Sequence, residues 1–141
     1  MQVTLVCNND ELIIWFAPAI KAPREIPVGN LPHAWLRYDQ GGTLKALRMA
    51  GLKTQCPYEL AKIVRTNMGS EIHAILQTTY DSSCDMGYIY LDYRGPSSVD
   101  FSIDTDGGVV IDIGKDGAVL GLELFSPSLL LPELVQAHSA S

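Results

Sequence analysis

The densest group of ionisable side chains in this 141-residue sequence is acidic: Asp100, Asp104, Asp106, Asp112 and Asp116. Carboxylates bind hard divalent cations when several converge on one loop. Asp104-Thr105-Asp106-Gly107-Gly108 has the opening of a calcium loop, but no glutamate stands at the twelfth position to close it. A paired-carboxylate hydrolase needs two acids converging in a cleft, and nothing in this spacing requires that. His33, His73 and His138 show neither HxxxH nor HExxH spacing, so zinc is not expected. A Cys–His nucleophile pair, for example Cys84 with His73, is a further arrangement to weigh, with Cys84 in a polar turn. Gly41-Gly42 and Gly107-Gly108 fit hairpin turns better than phosphate loops, since neither carries a P-loop or dinucleotide pattern. No catalytic residue, metal ligand or cofactor is assigned. The expectation is solvated acids in turns and strands, with small-ligand or divalent-cation binding on this acidic face as the alternative.

Composition narrows the class. Apolar residues make up 47% and charged residues 18%, which is globular rather than disordered. The net charge of −6 and the lack of a Lys/Arg cluster argue against nucleic acid as a partner. The first residues show no basic leader before an apolar run, and no stretch of about 18 apolar residues occurs, so no membrane partner is expected. Cys7, Cys56 and Cys84 form no CxxC, which fits free thiols in a reducing cytoplasm.

The elements that must position these residues are mostly strands. Apolar residues alternate with polar ones over most of the chain, the period of a half-buried strand. First strands are expected near 2–7 and 72–80, each ending in a polar turn, followed by strands at Leu12–Ala17 and Gly87–Asp92. Pro23 and Pro27 limit Arg24–Val28 to an edge strand. Two strand pairs then flank tight turns, Asp39-Gln40-Gly41-Gly42 and Lys115-Asp116-Gly117, in which Asp39, Gly42, Asp116 and Gly117 are the structural turn residues. Leu60, Ala61, Val64 and Met68 follow helical spacing after Pro57. A short helix from Leu129 to Gln136 is expected to close the chain, with Pro132 limiting how regular its start can be.

Sliding the sequence against itself by 75 residues pairs Gln2 with Gln77, Thr4 with Thr79, Asp10 with Asp85, Ile14 with Ile89, Gly42 with Gly117 and Leu47 with Leu122. The apolar alternation matches at many further places. Charge does not. Residues 1–55 carry six basic and four acidic side chains, a net of +2, while residues 76–126 carry two basic and nine acidic, a net of −7. Arg37 aligns with Asp112, and Arg48 with Glu123. Either both faces are solvated and have drifted, or a once symmetric dimer was fused and opposite charges now meet across a pseudo-two-fold interface.

Tyr80-Asp81, Asp85, Tyr88-Ile89-Tyr90-Leu91 and Gly108–Leu124, with its Gly121-Leu122-Glu123-Leu124 ending, resemble a small bacterial family, domain of unknown function 2283. The resemblance covers most of residues 76–128. It implies a small, self-associating β-sheet unit and, from relatives that look like neighbours of small toxin-like proteins, a partner to be neutralised. It implies no reaction. Residues 1–55 depart from the pattern, with Ala46 in place of the second glycine and Arg48 in place of the glutamate.

The sequence therefore reads as a β-rich α+β protein. Two pseudo-repeated antiparallel hairpin or meander units, 1–55 and 71–128, are joined by a linking helix at 56–70. A C-terminal helix and tail at 129–141 complete one compact domain. The expected function is a non-enzymatic protein–protein interaction or regulatory module, with a protein partner or self-association. An exposed Trp35 beside Arg37 suits an interface. Arg48, Asp112, Glu123, Leu130 and Leu134 are the other expected interaction residues.

Overall fold

The computed structural model describes residues 1–8, 10–31, 33–51, 60, 71–92, 98–105 and 107–139. Period-2 patterning produces two antiparallel sheets. The first holds β1 (Gln2–Asn8), β2 (Glu11–Trp15), β3 (Arg24–Pro27), β4 (Ala34–Tyr38), β5 (Leu44–Ala50) and β6 (Glu71–Ile75), in the order β3-β4-β5-β2-β1-β6. The second holds β7 (Thr78–Asp81), β8 (Met86–Tyr90), β9 (Val99–Asp104), β10 (Val109–Gly114) and β11 (Val119–Phe125), in the order β7-β8-β11-β10-β9. Two short helices follow, α1 (Pro127–Leu130) and α2 (Pro132–Ala137).

Each sheet buries one face, as alternation requires of an antiparallel sheet with one wet side. In β4, Ala34, Leu36 and Tyr38 are buried while Trp35 and Arg37 point outward. In β1, Val3, Leu5 and Cys7 are buried. The inward residues of both sheets form one apolar cluster with Leu130, Leu131 and Leu134 of the helical stretch. Each such aliphatic side chain contributes about 1.5–3 kcal/mol of burial. Tyr38 reaches across from β4 to Thr105 and Gly107 at the β9–β10 turn, and burial lifts its phenol above the ordinary range.

The central three strands of the two sheets share a register at the 75-residue offset. Ile14 pairs with Leu47 and Ile89 with Leu122. Ala34 pairs with Met49 and Val109 with Leu124. An irregularity falls between Arg37 and Tyr38 in one sheet and between Asp112 and Ile113 in the other. The turns agree as well. Gly42 N–H donates to the Asp39 carbonyl at 3.2 Å, and Gly117 N–H to that of Gly114 at 2.9 Å. Gly42 and Gly117 have φ of 90° and 81°, a region that favours glycine. The outer strands do not keep this register: Ile26 pairs with Leu36, whereas Phe101 pairs with Ile113.

Two expected elements are corrected. The strand expected over 72–80 is two strands in different sheets. Leu76 exchanges backbone hydrogen bonds with Met1 of the first sheet, and Gln77 accepts one from Tyr90 of the second, so the chain changes sheets between them. The single C-terminal helix is likewise two. Pro132 disfavours helical backbone at the residue before it, and Leu131 is extended, with φ −146° and ψ 76°. The expected linking helix at 56–70 lies outside the described residues except for Leu60, which is buried in the core.

Candidate functional site

Strand alternation carries two sets of chemically able side chains to the two outer faces. On the first sheet, β5 presents Arg48, β4 presents Trp35 and Arg37, β3 presents Glu25 and β2 presents Glu11 and Trp15. Trp35 pairs directly with Arg48, and Glu25 with Arg37. The Arg48 guanidinium lies 3.8 Å from the Trp35 ring centroid, and that of Arg37 lies 5.4 Å from the Trp15 centroid. Arg48 Nε and Nη2 donate to the two Glu25 oxygens at 2.6 and 3.0 Å, and Nη1 donates to Glu11 at 3.0 Å. Arg37 Nε also donates to Glu25, at 2.7 Å. The Arg48 hydrogen bonds, opposed in part by desolvation, hold the Glu25 carboxyl below the usual glutamate range. Both arginines are ion-paired within their own sheet.

On the second sheet, rows run across the strands. Thr79, Tyr88, Glu123 and Val110 stand opposite one another in one row, and Asp81, Met86 and Phe125 in the next. The row of Tyr90, Gly121, Asp112 and Ser102 lies on the other side. Asp112 is 4% exposed, and both its oxygens are occupied: Tyr88 Oη donates to one at 2.8 Å and Ser102 Oγ to the other at 2.6 Å. Tyr88 reaches Asp112 by lying across Gly121, where a Cβ would collide with its ring and hydroxyl. Burial, and then the Asp112 hydrogen bond, push the Tyr88 phenol far above its ordinary range. The Tyr88 and Tyr90 rings are 4.6 Å apart between centroids, tilted by 59°. Beside them an open groove of about 560 Å³ is lined by Thr79, Asp81, Met86, Tyr90, Asp112 and Glu123, among others.

Beneath this groove the β7–β8 turn holds the C-terminal helices. The Asp85 carboxylate accepts from Tyr80 Oη at 3.0 Å and from Ser128 N–H at 3.2 Å, and it bonds the Ser128 hydroxyl. It thus caps α1, whose own N-cap residue Ser126 makes no side-chain cap. The Ser128 bond, opposed by desolvation, lowers the Asp85 carboxyl below the usual range.

Residues 77–127 match the family model described as Protein of unknown function (DUF2283). The match spans every strand of the second sheet, from Thr78 to Phe125, and none of the first. No curated protein and no solved structure matches the chain. Within the DUF2283 segment, the Tyr80, Asp85, Tyr88, Asp112, Gly121 and Glu123 positions of the sequence resemblance fall into two contact sets. One is the Tyr80–Asp85–Ser128 clamp. The other is the Tyr88–Gly121–Asp112 stack, with Glu123 beside it.

The expected interaction residues divide accordingly. Trp35, Arg37 and Arg48 share the outer face of the first sheet, and Asp112 and Glu123 that of the second. Of the two readings of the divided charge, the one in which Arg48 and Glu123 meet is not found within the chain: they stand on the outer faces of different sheets, and Arg48 is held by Glu25 and Glu11. Leu130 and Leu134 are corrected as surface residues, since both point into the core; Leu129 is the exposed leucine there, at 80%. Asp39, Gly42, Asp116 and Gly117 stand in the two hairpin turns. There Asp39 Oδ1 accepts from Thr43 N–H at 2.9 Å, and Asp116 Oδ1 from Ala118 N–H at 3.2 Å.

His73 and Cys84 are not brought together. His73 stands on β6 of the first sheet at 3.4 Å from Thr4 Oγ1, and Cys84 in the β7–β8 turn of the second. Desolvation and then Asp81 raise the Cys84 thiol, which keeps it in the weakly nucleophilic form. Among the described residues no group of three or more His, Cys, Asp or Glu side chains is placed to hold a metal ion. Asp106 and Cys56 lie outside them. None of the described helices is long and apolar enough to cross a membrane.

In the sequence Tyr88 and Tyr90 stand out only within the family resemblance, and nothing there marks Met86 or Phe125. The available signal was Gly121 in an apolar strand, since glycine there often marks a close approach by another group.

Proposed function

We propose that this protein is a non-enzymatic protein–protein interaction module whose docking surface is the outer face of its second sheet. One observation carries the reading. Tyr90, Met86 and Glu123 line one open groove, and an exposed Phe125 stands opposite Met86 on the same face. Tyrosine, phenylalanine and methionine are the side chains enriched at interfaces, here flanked by charge that can select a partner. The outer face of the first sheet offers less, because its arginines are already paired. A cytoplasmic setting accords with the free thiols of Cys7 and Cys84.

We also infer that the two sheets are copies of one unit, fused and diverged. The shared central registers, the matched irregularities and the equivalent turn hydrogen bonds support this. A single sheet with one apolar face has to cover it. In this chain the first sheet covers the apolar face of the DUF2283 segment, which leaves that segment's outer face available for a partner.

The test is affinity capture with the full chain. A partner held by the wild type and by Glu71→Lys, but lost with Glu123→Lys or Tyr90→Ala, supports the surface. Equal retention by all four proteins overturns it.

A further inference from the structure

The two outer faces carry opposite charges at positions 75 residues apart. On the first sheet, an aromatic ring and two carboxylates surround a guanidinium. Trp35 lies under Arg48, Glu25 grips it at two nitrogens and Glu11 at the third. Seventy-five residues later, Glu123 stands where Arg48 does, Asp112 where Arg37 does, and Tyr88 and Tyr90 where Ile13 and Trp15 do. Two anions stand in place of two cations, and the aromatic positions differ: Val110 stands where Trp35 does, whereas Tyr88 replaces Ile13. No hydrogen bond or ion pair among the described residues holds the Glu123 carboxylate.

We propose that this groove receives an arginine side chain from the partner protein. This rests on the docking reading above and supplies its chemistry. Tyr90 provides a ring face for a planar cation, and Tyr88 stands against it at 4.6 Å between centroids. Glu123 stands on the next strand, and Asp81 lies on the far rim, exposed, in the row that Met86 and Phe125 make apolar. Asp112 is already saturated by Tyr88 and Ser102, so its part is to hold Tyr88 flat across Gly121. A guanidinium fits better than an ammonium. Its flat face stacks on a ring while its edge presents paired donors to a carboxylate. The surplus of acid over base in residues 76–126, nine against two, draws a basic partner toward the same sheet.

The probe is N-acetyl-arginine methylamide, titrated into the full-length, isotope-labelled protein at physiological salt and followed by amide chemical shifts. Saturable shifts confined to the amides of Thr79, Asp81, Tyr88, Tyr90 and Glu123 are expected. The citrulline analogue, which has the same shape without the charge, is expected to leave them unmoved. Glu123→Gln and Tyr90→Ala should each weaken the response at least several-fold, while Asp100→Asn, an equal loss of charge elsewhere on the sheet, should not. Shifts spread over every acidic surface, a citrulline response of equal size, or no response at all overturn the proposal. If the titration is silent while capture of the partner still depends on Glu123, the arginine chemistry falls and the docking surface stands. If capture ignores Glu123, the surface itself falls.

Discussion

Tyr88 occupies the space that a side chain on Gly121 would need. Its ring and hydroxyl lie across the glycine on the way to Asp112, so the absence of a Cβ at 121 and the presence of a phenol at 88 are one structural fact. The corresponding pair on the first sheet is Ile13 and Ala46, and Ala46 is fully buried without needing such a gap.

Gly121→Ala should therefore destabilise the protein by about 1–3 kcal/mol, the usual range for overpacking. In a Tyr88→Ile background most of that cost should vanish, because the obstructing ring is gone. A double-mutant cycle from urea denaturation checks this. Additive effects, with no coupling between the two sites, would show that the ring has room to move aside.

Tyr88→Phe tests the hydrogen bond alone. It leaves a buried carboxylate with one donor fewer, at an expected cost of about 1–3 kcal/mol. The phenol's folded value is raised, so its contribution is full below the ordinary tyrosine value of about 10 and declines as pH rises above it. The wild type should accordingly lose more stability than the Phe variant on going from neutral to strongly alkaline pH. Parallel curves would refute the assignment.

Glu25 works at the other end of the pH scale. Its folded value is lowered, first by the hydrogen bond from Arg48. The stabilisation it gives is present above the unfolded glutamate value of about 4.3 and is lost as pH falls through the lower folded value. Glu25→Gln should cost about 1 kcal/mol at neutral pH, since the cluster is only partly shielded from solvent. The difference from wild type should shrink on acidification. A gap that is constant with pH would mean that the Arg37–Glu25–Arg48 cluster contributes nothing through charge.

Asp85 links a turn to the C-terminal helices through Ser128. Asp85→Ala should loosen α1 and α2 without melting the sheets. Amide hydrogen exchange would then speed up at Leu130, Leu131 and Leu134 and stay slow at Ile111 and Leu122. Acidification below the usual aspartate range, about 3.9, should mimic the variant, because the folded carboxyl is held below that value. Uniform acceleration across the chain would instead make Asp85 a determinant of global stability.

Much of the sheet structure was legible because it is local. The Ala34–Tyr38 alternation fixes which side chains face inward, and a glycine after a short polar run marks a hairpin. The change of sheet at Leu76 and Gln77 was not legible, because a period of two says that a segment is extended and not which neighbour it pairs with. The partners of Arg48 were hidden for the same reason. Glu25 is 23 residues away, on an edge strand whose alignment is set by tertiary packing. Of the candidate site, Asp112 and Glu123 stood out as charges at strand positions. Their tyrosine neighbours did not, since an aromatic residue in a strand is equally at home in a core.

The two hairpin glycines give a direct measure of how alike the halves are. Gly42 and Gly117 both adopt positive φ, and a Cβ at Gly42 would meet nothing within 4 Å, so crowding cannot account for a loss there. Alanine at either position should cost about 1–2 kcal/mol from backbone strain alone. Gly41→Ala is the control: its Cβ would make an ordinary 3.4 Å contact with Asp39 Oδ1, so its cost should be small. Thermal denaturation of the three variants separates the cases. Similar losses at 42 and 117 with little at 41 fit one turn used twice. A large loss at only one of the two glycines would mean that the turns, despite equivalent hydrogen bonds, bear different loads, and the case for fused copies would lose its best-matched element.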